Sequence, residues 1–249
     1  MAKQHSILKV EGTLDGLTFY KSIDGHLVRM KGGVSKSRIM KDPAYVRTRE
    51  NIAEFGATAQ AGKLIRNTIT TVLQRAKDPR LSSRMLSVLH RIKNLDTNSV
   101  RGARKVGEGL QTPTGKALLK GFNFNQRALL QTILHAPYTL STTTGVVSFA
   151  DLVPLEHILS PEGATHVGFR TAFVNLDMAT GLFDTQLSAV VHLPLDMTVA
   201  NVVLTPTAVP AGNGLQLHFL LLEFFQLVNG MQYPLHDGAF NSLSVLDVI

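Results

Sequence analysis

One stretch of the chain reads Leu217-His218-Phe219-Leu220-Leu221-Leu222-Glu223-Phe224-Phe225. Its length and composition predict a β-strand, and alternate residues on both sides of that strand are apolar. Such a strand is central in the core, or its outer face is covered by helices or by another chain. The neighbouring segments must therefore supply cover for two faces.

The region around this strand, from residue 128 to the C-terminus, is rich in further β-prone runs. Turn-forming segments separate them and no helical pattern intervenes, which favours an antiparallel sandwich or open barrel over a parallel sheet. The predicted strands are residues 129–136, 145–153, 165–178, 183–195, 199–205, 215–228 and 242–248.

The first thirty residues also predict strands, at 6–10, 17–23 and 26–30. Asp24-Gly25 is a strong hairpin signal, and a two-residue turn there places Tyr20 opposite Arg29 and Phe19 opposite Met30. Tyr20 and Arg29 then form a cation–π pair or an ordinary surface contact. A ribbon of this size is marginal alone, so these four residues are candidate assembly contacts, with another subunit as one possible partner.

A helical region follows a basic, glycine-containing connector at residues 31–41. Asp42-Pro43 predicts a helix start, and the apolar periodicity continues to about Lys77, with Gly56 and Gly62 as weak points. A second Asp-Pro pair at residues 78–79 starts a helix to about residue 94, which completes a helical hairpin. Residues 96–121 contain five glycines and are predicted to be loop-like, with a short helix at about residues 115–119 as an alternative.

The fold class is therefore predicted as α+β: an N-terminal β-hairpin plus a helical hairpin, followed by an antiparallel, β-sandwich-like C-terminal domain. Charge divides the chain in the same order, since residues 1–127 hold 24 Lys/Arg and 9 Asp/Glu, whereas residues 128–249 hold 1 and 9. We predict a β-ribbon and basic connector at 1–41, a basic helical region at 42–127 and an acidic β domain at 128–249.

The basic segment predicts contacts with a polyanion such as nucleic acid, or with the acidic half of a neighbouring copy. A basic surface kept only for solubility is a third reading. The candidate contact residues are Arg47, Arg49, Lys63, Arg66, Arg101, Arg104 and Lys105.

The chemistry-bearing residues form no pattern typical of an active site. Cysteine is absent, and residues 109–117 depart from a phosphate-binding loop in their glycine spacing and in Ala117, which stands where a metal-binding hydroxyl is needed. The histidines lack metal-ligand spacing. Glu223, the one carboxylate in the apolar strand, either is buried with a raised pKa or faces solvent. We assign no catalytic, cofactor-binding or metal residue, and expect neither a cofactor nor enzymatic activity.

The termini and hydropathy give an expectation about location. No stretch approaches the roughly 20 apolar residues of a membrane-spanning helix. Met1-Ala2-Lys3-Gln4-His5 leads directly into charged sequence, so we expect synthesis in the cytoplasm without a signal peptide. The final location of the protein stays open.

Three segments carry a resemblance to known sequences: GTLDGLTFYK at 12–21, GHLVRMKGG at 25–33 and DPAYVRTRENIAEFG at 42–56. Over about residues 1–70 the chain resembles a protein family of the Bacteroidota, and the likeness is looser beyond. Members of that family start with a glycine-punctuated hairpin, continue into a basic helix and end in a β-rich region. No activity is assigned to them, so the resemblance implies only a bacterial structural or phage-like component.

These observations predict a non-enzymatic structural subunit that self-assembles into a filament, tube or shell. Halves of opposite charge suit head-to-tail contacts, and the N-terminal ribbon suits strand exchange with a neighbouring copy. The alternative is a nucleic-acid-binding or packaging protein that uses the basic N-terminal half. The expected partners are therefore a second copy of the chain and, in the alternative, nucleic acid.

Overall fold

A computed structural model of the protein describes residues 2–5 and 7–249, apart from the side chains of His236 and Asp237. The chain forms two compact units, Met1–Ile52 and Ala53–Ile249. Antiparallel strands come first, helices occupy the middle of the chain, and a curled antiparallel sheet follows. The predicted α+β class with a sandwich-like C-terminal domain is confirmed.

A four-stranded antiparallel sheet forms most of the N-terminal unit, in the order β1-β4-β3-β2. The strands are β1 (Ala2–Lys3), β2 (Gly12–Leu14), β3 (Leu17–Ser22) and β4 (Gly25–Met30). Asp15 and Gly16 join β2 to β3 with φ angles of 44° and 82°, as a two-residue turn of type I′ requires. An Asp-Gly hairpin signal is therefore realised here.

The register predicted for the next hairpin is wrong, because its turn lies one residue earlier in the chain than predicted. Ser22 pairs with Gly25, so the turn residues are Ile23 and Asp24, and Tyr20 lies opposite Leu27. The Ser22 hydroxyl accepts a hydrogen bond from the Asp24 N–H at 3.0 Å. Positive φ is then needed only at Gly25, where it is 107°.

The strand predicted at 6–10 is also wrong over residues 7–10, which are irregular. Residue 6 lies outside the described residues. The chain pairs earlier instead, since β1 lies against β4 and the Gln4 N–H donates to the carbonyl of His26 at 2.9 Å.

Helices begin within the predicted connector, because α1 spans Lys36–Lys41. The Asp42 carboxylate accepts a hydrogen bond from the Ala44 N–H, and a 3₁₀ turn at Pro43–Tyr45 leads into α2 (Val46–Thr68) and α3 (Thr70–Leu73). The break falls at Ile69 and at neither predicted glycine. Residues 68–72 are all β-branched, and the Thr68 hydroxyl bonds the carbonyl of Ile65 at 2.8 Å, which weakens helix continuity there.

The second helix of the hairpin is α4 (Leu81–Lys93). Two short helices, α5 (Val106–Leu110) and α6 (Pro113–Leu119), occupy the segment predicted to be a loop. Its glycines serve close packing, since a Cβ on Gly109 would lie 2.0 Å from the carbonyl oxygen of Ile92, and one on Gly115 would lie 2.0 Å from that of Gly109. Glycine in this segment therefore indicates helix contact as well as turns.

The remaining elements form two antiparallel sheets and two helical turns. One sheet has the order β10-β6-β5, and the other β12-β11-β7-β8, with β13 also paired to β11 and β9 to β7. Their bounds are α7 (Leu130–Ile133), β5 (Thr139–Leu140), β6 (Val147–Leu152), α8 (Pro154–His157), β7 (His166–Leu176), β8 (Phe183–Leu187), β9 (Val191–Pro194), β10 (Ala200–Leu204), β11 (Leu215–Val228), β12 (Met231–Pro234) and β13 (Ser242–Val248).

Two of the predicted strands differ from those observed. Residues 129–136 contain the turn α7, whose Leu130 N–H is bonded by the buried Asn123 side chain at 2.8 Å. Residues 183–195 form two strands, because β8 and β9 pair with different halves of β7. In both cases a partner outside the predicted segment decides the conformation.

Both faces of β11 are covered by this chain. Leu217, Phe219 and Leu221 belong to a core shared with α2–α6, whereas Leu220 and Leu222 belong to a second core shared with β6 and β10. A second chain is therefore not needed to bury residues 217–222 of this strand.

The compact units divide at 52/53, which differs from the charge-based boundaries at 41/42 and 127/128. The helices after residue 53 share their core with the acidic sheet. Surface charge follows solvent and partners, whereas the unit boundary follows buried apolar contact.

The glycine contact between α5 and α4 predicts a measurable difference between two alanine substitutions. Gly109→Ala is expected to lower the free energy of unfolding by about 1–3 kcal/mol, because the new methyl group overlaps the backbone of Ile92. Gly56→Ala is the control: no atom lies within 4 Å of its Cβ position, and it is expected to stabilise by about 0.5–1 kcal/mol. Urea denaturation measures both, and equal effects would contradict the packing role.

Candidate functional site

A cavity of about 410 Å³ lies over the helix-facing side of the larger sheet, beside α3 and the turn that follows it. Strand pairing sets Glu223 of β11 opposite Gly168 of β7, and Gly168 opposite His192 of β9. The three residues form one row across adjacent strands, so their side chains share a face. The lining residues are Thr71, Val72, Gln74, Arg75, Arg170, Val190, His192, Leu221, Glu223 and Phe225.

The absence of a side chain at Gly168 lets neighbouring side chains pack against the backbone in the middle of that row. A Cβ at this position would lie 2.9 Å from the ring of Phe225 and 3.5 Å from the ring of His192. Those two rings meet edge to face with their centroids 4.9 Å apart. A side chain at 168 would therefore displace the aromatic wall of the cavity.

Arg75 is held next to Glu223 by its backbone. The buried Asn241 side chain donates to the carbonyl of Arg75 at 2.9 Å and accepts the N–H of Phe224 at 3.0 Å. This bridge ties the turn after α3 to the strand position beside Glu223. The Arg75 guanidinium then lies 3.7 Å from a carboxylate oxygen of Glu223, Nη1 to Oε1.

Glu223 is a buried carboxylate, with its side chain 7% exposed. Burial raises the pKa of Glu223, and the positive charges of Arg75 and Arg170 oppose that rise. Its Oε1 has no hydrogen-bond donor among the described residues. Of the two readings of Glu223 in the sequence, burial with a raised pKa is therefore the observed one.

The other polar groups of the cavity are fixed by their own contacts. Arg170 donates from Nε to the carbonyl of Ser188 at 3.0 Å. Burial lowers the pKa of His192, and the charge of His166 adds to the shift, so the imidazole of His192 is neutral at neutral pH. The site thus combines a carboxylate, two guanidinium groups and a neutral imidazole, which suits binding of a polar small molecule.

Metal binding finds no support in the part of the chain that the structure describes. There, no three His, Asp or Glu side chains converge in a way that could hold a metal ion. None of the helices described is long and apolar enough to cross a membrane.

Several of the predicted polyanion contacts have partners within the protein. Arg49 donates to the backbone carbonyls of Ile39 and Asp42 at 2.7 and 2.9 Å, and Arg47 pairs with Glu50 at 3.1 Å. Arg66 donates from Nη1 to the sulfur of Met85 at 3.7 Å, and burial lowers its pKa. Arg104 belongs to a buried ionic cluster.

Glu54 of α2 is the centre of this cluster. Arg104 reaches both of its carboxylate oxygens, with Nε and Nη2 at 2.7 and 2.8 Å, and the buried Lys93 ammonium and the Gly102 N–H bond it as well. The Arg104 hydrogen bonds hold the pKa of Glu54 well below its ordinary value; burial opposes this, and Lys93 and Gly102 lower the pKa further. The cluster fixes the segment around residue 102 against α2 and α4.

The side chains of Lys63, Arg101 and Lys105 are exposed, and exposure alone does not leave a cation unpaired, since Arg101 also interacts within the protein. The candidate assembly contacts divide between the two faces of the N-terminal sheet. Phe19 shares a face with Val28, whereas Arg29 lies over the Tyr20 ring on the other face, 5.3 Å from its centroid. The Tyr20–Arg29 contact is thus diagonal across the strands rather than directly opposed.

Sequence reasoning singled out Glu223 but missed Arg75, Arg170 and His192. The alternation in β7 places Gly168 and Arg170 on one face, which was available from the sequence. The register that sets Glu223 beside Gly168, and the Asn241 bridge to Arg75, depend on contacts between distant segments.

Comparison with known proteins supplies no relative. No protein-family model matches the chain, and neither a curated protein nor a solved structure is similar to it. The resemblance of residues 1–70 therefore stays a prediction, and function is argued from the residues of this chain.

The buried cluster predicts a large effect of neutralising Glu54. Glu54→Gln leaves the Lys93 ammonium, 1% exposed, without its carboxylate, and is expected to cost about 3–5 kcal/mol of unfolding free energy. Glu162→Gln, at an exposed position, is expected to change it by less than about 0.5 kcal/mol. Urea denaturation at pH 7 distinguishes them.

Glu54→Gln and its control Glu162→Gln are also expected to differ in how their unfolding free energies depend on pH. Because the pKa of Glu54 is lower in the folded state, its contribution is present above the unfolded carboxyl pKa of about 4.3 and is lost as the pH falls below it. As the pH is lowered, the unfolding free energy of Glu54→Gln is thus expected to fall less steeply than that of Glu162→Gln, which keeps the Glu54 carboxylate. Parallel acid profiles would contradict this role.

Proposed function

We propose that the protein is a non-enzymatic structural subunit that self-assembles through its N-terminal sheet into a filament, tube or shell. One observation carries the proposal: an apolar row crosses one face of that sheet. Leu14 pairs with Leu17, which pairs with Met30, and their exposed fractions are 67%, 40% and 81%. Adjacent exposed apolar side chains of this kind mark interaction surfaces.

A second copy of the chain is the occupant that charge favours. The basic 127-residue segment and the acidic segment after it suit a head-to-tail contact, and contacts of that type propagate unless they close a ring. The apolar faces of β11 no longer add to this argument, since the chain covers them itself.

Strand exchange is the mechanism that we propose for this contact. β12 is exposed at all four residues, at the end of the larger sheet, and Met231 and Tyr233 on it are 62% and 50% exposed. An edge strand of this kind accepts an added strand. The N-terminal strands of a neighbouring copy are the proposed donor.

Substitution of Met30 tests the role of the apolar row. Met30→Lys is expected to weaken self-association at least about tenfold, because a charge enters an apolar contact, and to leave folding unchanged at this exposed position. Ile23→Lys is the control, since Ile23 is 63% exposed but lies in the hairpin turn. Sedimentation velocity and negative-stain electron microscopy measure association.

Deletion of residues 1–33 separates strand exchange from other contacts. It removes the sheet of the N-terminal unit and is expected to leave a folded, unassembled monomer. Unchanged assembly by the deleted chain would rule out this mechanism, and a monomeric full-length chain at all concentrations would rule out self-assembly.

Nucleic-acid binding or packaging is the alternative proposal, favoured by the exposed Lys63, Arg101 and Lys105 in the basic segment. Alanine at all three is expected to weaken binding to arbitrary DNA and to reduce the salt slope by up to about 3. The control has the same net charge: Lys3, Lys9 and Lys21, all changed to alanine. No binding by the parent protein at about 50 mM salt would contradict this alternative.

A further inference from the structure

The cavity beside Glu223 contains complementary groups that are not fully paired with each other. Arg75 Nη1 and Glu223 Oε1 are 3.7 Å apart, which is beyond hydrogen-bonding distance. A buried carboxylate oxygen without a donor is costly, so a ligand that donates a hydrogen bond to it gains free energy on binding.

The charges of the cavity select the ligand further. Two guanidinium groups, of Arg75 and Arg170, line the same space as the single carboxylate. Guanidinium groups bind carboxylates well because the two planar groups match in geometry. A phosphate ester would meet the guanidinium groups but would be repelled by Glu223, and a simple amine would be repelled by Arg75 and Arg170.

The rest of the lining combines apolar residues with the polar Thr71, Gln74 and His192. Val190, Leu221 and Phe225 form a wall next to the charged groups, and Val190 and the Phe225 ring pack closely over Gly168. Small-molecule sites combine apolar walls with a few polar groups that fix the ligand, and their volumes of roughly 300–1,000 Å³ include that of this cavity.

We propose that the cavity binds a free α-amino acid with an apolar side chain. The ammonium group donates to Glu223, the carboxylate accepts from Arg75 and Arg170, and the side chain packs on Val190 and Phe225. A zwitterion satisfies both signs of charge at adjacent atoms. This proposal is independent of self-assembly, because every residue it uses lies in the unit Ala53–Ile249.

Isothermal titration calorimetry with the full-length protein tests the ligand class. The probes are L-leucine, 4-methylpentanoate, which lacks the ammonium group, and 3-methylbutylamine, which lacks the carboxylate. Leucine is expected to bind, and each analogue at least about tenfold more weakly, since each loses one charge-assisted contact. Equal binding of leucine and either analogue would overturn the assignment of that contact and with it the proposal.

Variants test the residues. Glu223→Gln keeps the shape of the side chain and removes its charge, so leucine affinity is expected to fall at least about tenfold. Arg75→Gln is expected to do the same through the carboxylate, whereas Glu156→Gln, at an exposed position, is expected to leave affinity unchanged.

Two results would overturn the proposal: no heat of binding for leucine up to about 10 mM, or binding that is unchanged in both Glu223→Gln and Arg75→Gln. Circular dichroism confirms that each variant is folded before titration. A monomeric protein that binds leucine would support this site while contradicting self-assembly, so the two proposals fail separately.

Discussion

The two-sided burial of β11 is the constraint on which the rest of the larger unit depends. A strand with apolar residues on both faces is stable only between two layers, because each uncovered face would leave several large side chains in water. The helices supply one layer and the sheet β10-β6-β5 the other. Close approach within the helical layer in turn requires glycine, and Gly62 and Gly109 lie where α4 contacts α2 and α5.

Local rules predicted much of this architecture. Period-two alternation located most C-terminal strands, and Asp42 caps a turn that starts at Pro43, although that turn is 3₁₀. The start predicted at Asp78-Pro79 is wrong by two residues, because α4 begins at Leu81 and Asp78 bonds the Arg80 N–H in the turn before it. The local rules failed where tertiary contacts decide the conformation. Gly109 resembles a loop residue by composition, yet lies in a helix because only a residue without Cβ fits against Ile92. The hairpin turn lies at Ile23-Asp24, one residue before the predicted Asp24-Gly25, because Ser22 pairs with Gly25 and its hydroxyl accepts the Asp24 N–H.

Charge was the least reliable guide to individual contacts. A count of cations locates a basic segment but cannot distinguish an exposed side chain from one that pairs within the fold. Arg104 and Glu54 are 50 residues apart in sequence, and only the packing of the segment around residue 102 on α2 brings them together. The exposed Lys63 lies on α2 and the buried Lys93 on the neighbouring α4. Only a cation with an exposed side chain is therefore accessible to a partner outside the chain.

The burial of Glu223 follows from the two-sided burial of β11. It continues the helix-facing row of Leu217, Phe219 and Leu221, where a leucine would extend the core without the desolvation cost of a carboxylate. The structure offsets this cost only in part, since Arg75 stays 3.7 Å away and Oε1 of Glu223 has no hydrogen-bond donor among the described residues. A fold held together by the apolar faces of β11 gains no stability from a charge at this position. The carboxylate, the arginines and the cavity beside them are explained together by a ligand that carries both a hydrogen-bond donor and an acceptor.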